Sequence, residues 1–292
     1  MVAYGRSRNP GPIDEVAWER PADWLPVPVP SASDQRFVGL AAVFNNGANF
    51  ITVRSGVAFK VDWGDGAGWV NYAANTTAEK NLAWSDYSSG TLTSRGYRQA
   101  LVTVEAQSGN LTSLDLQQRH SSVPRAVATA WLDVAVSLPS GTLTFGGPNV
   151  YQSNVERVTI VGVANTSFAA MFQFCYSLQS VPLFNTTNGT NFTNMFYNCY
   201  SLQTVPALNT AAGTNFAYMF QNCYPLQSAA LNGTRYSIDY SNAMLSPAEL
   251  DAIYTALGTA AGAQTITVTG NWGTATDTPS IATAKGWTVA GS

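Results

Sequence analysis

The sequence predicts a mainly β chain in which a small β-sandwich is followed by a parallel solenoid of 24-residue repeats with short helices. Three observations predict it. Met171, Met195 and Met219 mark near-identical segments at a constant interval of 24 residues, and a fixed period of this size is the signature of stacked units. The region before them carries short β-branched runs separated by Gly and Asn clusters, the pattern of short strands and turns. Only 11% of the 292 residues are charged, against about 25% in an average domain, so Ser, Thr, Asn, Gln and Gly must supply the surface polarity.

Residues 1–35 read as an extended anchoring arm. Pro10, Pro12, Pro21, Pro26, Pro28 and Pro30 deny it regular hydrogen bonding. Trp18 and Trp24 are its large rings, suited to docking on a neighbouring subunit or on the chain's own domain. Residues 36–107 are the expected sandwich, with strands at Phe37–Val43, Phe50–Val53, Ala58–Asp62 and Ala100–Glu105. Between them stands Val61-Asp62-Trp63-Gly64-Asp65-Gly66. Asp-Gly favours a type I′ hairpin turn, whose two central residues need positive φ. Asp62 and Asp65 are the candidate metal ligands. Two carboxylates fall short of the 6–8 oxygens that calcium takes, so hydrogen bonding to the turn backbone is the expected role.

Residues 108–292 are the expected solenoid and its cap. Thr166-Ser-Phe-Ala-Ala-Met-Phe-Gln-Phe-Cys-Tyr-Ser-Leu-Gln-Ser-Val-Pro182 recurs from Thr190 and again from Thr214. In the first copy Phe168, Met171, Phe172 and Cys175 sit at i, i+3, i+4 and i+7, one face of a short helix. Phe192, Met195, Phe196 and Cys199 repeat that face, as do Phe216, Met219, Phe220 and Cys223. Leu178 and Val181 begin an extended segment that Pro182 keeps from being helical. One unit cannot bury enough surface to order its own backbone, so units must stack and bring like residues into rows. Leu111–Leu116, Trp131–Val134 and Val155–Ile160 read as degenerate upstream units. A cap follows, with a helix at 247–257 opened by Ser246, Pro247 and Glu249 and stopped by Gly258.

The Val61–Gly66 run resembles the WGDG signature of PKD-like domains, and the resemblance implies an immunoglobulin-like sandwich of a surface protein. The repeat resembles the BspA-like leucine-rich repeats of bacterial surface proteins. The ending, Leu245–Val289, resembles the terminus of repeat proteins found among phage structural genes, and Glu19–Pro26 followed by Val61–Gly66 is similar to virion proteins of marine phages, especially those infecting cyanobacteria. Together these imply a leucine-rich-repeat-like fold and a virion or cell-surface role.

Chemistry is scarce. From Ala164 to Ile238 the only charged residue is Arg235, so the repeats offer no general acid or base and no carboxylate pair of the kind glycosidases use. The single histidine, His120, lies in a polar loop where a Ser-His-Asp arrangement is not expected. Cys175, Cys199 and Cys223 lack metal-ligand spacing and are expected as a reduced, buried ladder. Tyr176, Tyr200 and Tyr224 follow them directly and should lean off the core. With Asn198 and Asn222 they form the candidate partner or ligand surface. Asn185-Thr-Thr and Asn191-Phe-Thr are read as turn residues rather than glycosylation sites.

The net charge of −3 and the lack of Lys/Arg clusters argue against nucleic acid. No run reaches the roughly 18 apolar residues of a membrane helix, and Met1–Pro12 lacks the apolar centre of a signal peptide. No cofactor is expected. The expected role is a non-enzymatic phage virion protein, a capsid decoration or fibre-like component on the outer surface. Its partners would be other virion proteins, copies of itself, or a host surface glycan or protein. A bacterial cell-surface adhesin is the alternative, and a polysaccharide-active enzyme is a weaker one.

Overall fold

The computed structural model describes residues 18–123 and 128–292; the first part of the expected arm, residues 1–17, lies outside the described residues. The strands before the repeats are β1 (Arg36–Val43), β2 (Phe50–Arg54), β3 (Phe59–Asp62), β4 (Trp69–Tyr72), β5 (Thr77–Asn81), β6 (Arg98–Ala106), β7 (Ser113–Asp115), β8 (Trp131–Leu138), β9 (Thr142–Thr144) and β10 (Arg157–Val163). They build a six-stranded sheet, β10-β8-β1-β6-β3-β4, and a four-stranded sheet, β5-β2-β7-β9. Phe37, Val61, Val102 and Val136 of the first sheet share one buried core with Ile51, Val53, Ala78 and Leu143 of the second.

Both sheets take strands from either side of the 107/108 boundary expected from the sequence. The three segments read as degenerate solenoid units are strands of these sheets: β7 lies beside β2, β8 pairs antiparallel with β1, and β10 pairs parallel with β8. The 24-residue interval is still visible here, since Val158 sits opposite Val134.

The outer face of the six-stranded sheet is covered by residues 18–27. Trp24 is buried against Leu40, Ala42, Tyr97 and Leu132, with Trp18, Leu25 and Val27 around it. Polar bonds fix this cover. Arg20 Nε donates to Asp133 Oδ2 at 2.7 Å, Trp24 Nε1 to the Tyr97 hydroxyl at 2.7 Å, and Trp18 Nε1 to Glu156 Oε2 at 3.0 Å. Leu25 N donates to Gln99 Oε1 at 2.7 Å, and Gln99 Nε2 returns a bond to Asp23 O at 2.9 Å. Trp18 and Trp24 therefore dock on the chain's own domain.

The expected leucine-rich-repeat-like parallel solenoid with short helices is not what the chain forms. Residues 164–237 hold no helix and no strand of named length; turns and isolated parallel bridges take their place. Ser167 bridges to Asn191 and Asn191 to Asn215, while Ser180 bridges to Thr204 and Thr204 to Ser228. The units do stack in register, with Phe192 at 5.3 Å from Phe216 and Phe172 at 5.4 Å from Phe196, the rings nearly parallel.

That spacing explains the missing helices. Packed helices keep their axes 8–10 Å apart, so units about 5 Å apart on the phenylalanine side have no room for them. The backbone instead runs through successive tight turns. Met171 N donates to Phe168 O at 3.1 Å, Gln173 N to Ala170 O at 3.0 Å and Cys175 N to Phe172 O at 3.2 Å. The alternate amides leave the unit: Ala170 N donates to Thr193 O, Phe172 N to Met195 O and Phe174 N to Tyr197 O. The next unit repeats this from Asn194, Phe196 and Asn198. Ala170, Phe174, Asn194, Asn198, Tyr218 and Asn222 all take positive φ. A left-handed residue costs roughly 1–2 kcal/mol in an L-chain and is tolerated best by Gly, Asn and Asp. Three of the six are Asn, and hydrogen bonds to the neighbouring unit offset the cost at Ala170 and Phe174.

The chain ends on β11 (Ile238–Asp239), α1 (Pro247–Ala256), β12 (Gln264–Thr267), α2 (Ser280–Thr283) and β13 (Trp287–Ala290), with the strands in a parallel sheet β11-β12-β13. Helix α1 forms where Ser246 and Pro247 place it. Ser246 Oγ accepts from Glu249 N at 3.1 Å, and the helix stops one residue short of the expected end.

Candidate functional site

The turn from Cys175 to Leu178 lifts Tyr176 off the core, and the same turn in later units lifts Tyr200 and Tyr224. The three rings form a continuous row. Tyr176 and Tyr200 lie 5.1 Å apart with planes at 21°, and Tyr200 and Tyr224 lie 6.3 Å apart with planes at 4°. Tyr200 is 46% exposed and Tyr224 53% exposed. Tyr176 is half-buried because Phe174 and Tyr151 pack against it. Burial, then the neighbouring phenol, raises the pKa of Tyr176 and of Tyr200 above the ordinary tyrosine value. These two phenols are therefore neutral at physiological pH.

The sequence placed Asn198 and Asn222 beside this row, and the structure brings them there. Their polar atoms are occupied internally. Asn222 Nδ2 donates to Asn198 Oδ1 at 2.6 Å, and the Tyr224 hydroxyl donates to Asn222 Oδ1 at 2.7 Å. Asn198 is buried, and both asparagines have positive φ. They brace the row from beneath, and the surface it offers is the phenol rings.

Behind it stand the buried rows. Phe168, Phe192 and Phe216 form one, Phe172, Phe196 and Phe220 another, and Met171, Met195 and Met219 a third. Cys175, Cys199 and Cys223 are free and buried. Cys199 Sγ donates to Phe172 O and Cys223 Sγ to Phe196 O, each at 3.0 Å. Burial pushes the Cys223 thiol up to about 12, and lifts the Cys199 thiol well above its ordinary value, with the thiols on either side adding to the effect. These groups are inert in the folded protein. The asparagines of the Asn-x-Thr triplets shape turns, as Asn185 Oδ1 accepts from Thr187 N at 3.0 Å and Asn191 Oδ1 from Thr193 N at 3.0 Å.

The hairpin β3–β4 forms around the Asp-Gly, but not through the expected type I′ turn. Gly64, Gly66 and Gly68 take the positive φ values and Asp65 does not. Asp62 Oδ1 accepts from Gly64 N at 2.9 Å, and Asp65 Oδ1 from Ala67 N at 3.0 Å, with Lys80 pairing the other Asp65 oxygen. Burial works to raise the Asp65 pKa, but the Lys80 ammonium and the Ala67 N–H hold it below the usual value. No third carboxylate, His or Cys joins either residue in a metal-binding cluster among the described residues. His120 rests on the Phe50 ring at 4.8 Å, and its Nδ1 accepts from Ser122 N at 3.1 Å.

One feature escaped the sequence reading. A cleft of about 390 Å³ opens between the last repeat, at Thr214–Tyr218, and the cap, at Tyr236–Asp239 and Gln264–Thr267. Its origin is a contraction. Ten residues separate Thr210 from Phe220, yet six separate their partners Thr234 and Tyr240 in the next layer. The partnership is set by the bond of 2.7 Å between the Thr210 and Thr234 hydroxyls and by Phe220 stacked 5.0 Å from Tyr240. Four residues are missing where Thr214–Tyr218 would have been covered. The unequal interval was the available signal, but it is meaningless until the two layers are known to be neighbours.

Two sheets around one core, continued by a neutral, tyrosine-faced stack of repeats, define a mainly β protein whose candidate site is an exposed surface. Residues 144–246 match the model of a family described as "Mycoplasma protein of unknown function, DUF285". This match is consistent with the resemblance to BspA-like proteins, and with a surface protein of adhesion type. No curated protein and no solved structure matches the chain.

Proposed function

We propose that the chain is a non-catalytic surface protein of a phage particle, a capsid decoration or fibre-like component, whose repeat stack presents an attachment surface. The observation that carries this reading is the exposed, stacked tyrosine row on a stretch whose only charge is Arg235. Such a surface suits planar and uncharged partners: the faces of sugar rings, aromatic groups of a protein, or another copy of the chain. The PKD-like resemblance rests on the Val61–Gly66 hairpin alone, since the two-sheet body around it also takes strands from beyond residue 107. The likeness of Glu19–Pro26 with Val61–Gly66 to virion proteins of marine phages, and of Leu245–Val289 to repeat proteins among phage structural genes, supports the particle.

The family match at 144–246 favours a second reading, a bacterial cell-surface adhesin. Labelling with an antibody against residues 164–240 tests both. Gold on intact particles, with the polypeptide present in stripped virions, is the expected result. Its absence from virions, together with label on the cell envelope, would replace the first reading by the second.

A further inference from the structure

We infer that the cleft between the last repeat and the cap is a binding site for a neutral saccharide, distinct from the tyrosine row. The inference deepens the attachment reading by adding a site and a ligand class. It starts from the backbone. In the first two units, alternate amides from Phe168 to Phe174 and from Phe192 to Asn198 each donate to a carbonyl of the following unit at 2.8–3.0 Å. In the third unit the equivalent N–H groups of Phe216 and Tyr218 have no protein acceptor among the described residues. The four-residue contraction has taken away the carbonyls that would have faced them. Both residues line the cleft. Native proteins leave few such donors unsatisfied, so these two N–H groups call for oxygen acceptors from a ligand or water.

The opposite wall supplies complementary groups. Asp239 is exposed, and its Oδ1 accepts from Ser241 N at 2.7 Å while Oδ2 makes no hydrogen bond to protein among the described residues. Thr267 and Gln264 are half-buried, and Asn215 is exposed. Tyr218 is 61% exposed at the rim, held there by a positive φ. A sugar hydroxyl donates and accepts at once, so one ring can take the Phe216 and Tyr218 N–H bonds on its oxygens, donate to Asp239, and lay its face on a phenol. The volume falls within the roughly 300–1,000 Å³ usual for small-molecule sites. An inserted peptide strand fits less well. Strand addition draws specificity from pockets for alternate side chains, whereas the large apolar side chains of the lining, Phe216 and Ile238, are buried.

The test is a titration of the full chain with a panel of neutral hexaoses built from glucose, mannose, galactose or N-acetylglucosamine, followed by amide chemical shifts and calorimetry. At least one should bind and shift the Phe216 and Tyr218 amides. Tyr218→Asn should weaken that binding at least tenfold without unfolding the chain, because Asn194 holds the same left-handed position one unit earlier. Tyr224→Ala should leave it unchanged. Failure of every hexaose to bind, or loss of binding through Tyr224→Ala and not through Tyr218→Asn, overturns the inference. Either result leaves the particle-labelling experiment to judge the broader role on its own.

Discussion

The sandwich and the repeat stack adjoin in one chain and are held together by opposite means. In the sandwich, unlike residues meet. The ion pairs of the described residues all fall between Arg20 and Arg157, among them Arg20–Asp133 at 2.7 Å and Arg36–Glu105 at 2.8 Å. In the stack, like meets like: Phe on Phe, Tyr on Tyr, Asn on Asn, Thr on Thr. Repetition forces this. A charged residue recurring every 24 positions would face its own sign about 5 Å away, at a cost of roughly 1–3 kcal/mol per contact for an effective dielectric between 80 and 20. Rows must be filled by groups that pair with themselves. The near-absence of charge from Ala164 to Ile238 therefore has a structural cause.

The largest expected effect is on the phenylalanine rows. Phe196 is buried between Phe172 and Phe220, so Phe196→Ala should cost about 3–5 kcal/mol. Because each unit leans on its neighbours, hydrogen exchange should quicken across 168–223 more than in β1 and β6. Equal quickening in both regions would mean that stack and sandwich are one cooperative body. On the other side, Asp133 has a side chain 2% exposed and pairs with Arg20. Asp133→Ala should cost about 1.5–3 kcal/mol, the range for hydrogen bonds to charged groups, and should free the Trp24 cover. A rise in Trp24 accessibility to a fluorescence quencher would report it.

The thiol row gives a smaller, pH-dependent signal. Cys223 loses its proton near pH 9 when unfolded and near 12 when folded. Its contribution is complete below about pH 9 and is lost as the pH climbs toward 12, by about 1.4 kcal/mol per pH unit. Denaturation midpoints measured at pH 8 and 10 should fall more in the native protein than in Cys223→Ala. The smallest effect tests the rule of like pairs. Tyr200→Lys with Tyr224→Lys should be less stable than the two single changes combined by roughly 1 kcal/mol, and added salt should erase the excess. Additive changes at low salt would contradict that account of the missing charge.

Much of this molecule was written along the chain. The period was plain from Met171, Met195 and Met219, and it placed Tyr176, Tyr200 and Tyr224 in one row, since equal intervals in a stack give equal positions. The cap helix followed from Ser246 and Pro247, because capping is settled within four residues. What each unit looks like inside was not legible. Phe168, Met171, Phe172 and Cys175 satisfy a helical face and also two consecutive turns, and local spacing cannot separate them. The choice turns on whether an amide bonds four residues back or to the unit beside it, which depends on how closely the units approach.

The same dependence on neighbours hid the rest. Trp131–Leu138 and Arg157–Val163 have strand-like sequences in any context, and only pairing with β1 assigns β8 and, through it, β10 to the sandwich. Trp24 could have covered any apolar face, and the one it covers is built from Leu40, Tyr97 and Leu132, distant in sequence. The cleft arises from a mismatch of lengths between two layers that no single segment records. Intervals and caps are properties of a segment and can be read from it. Partner, register and gap are relations between segments, fixed only when packing sets the distances between them.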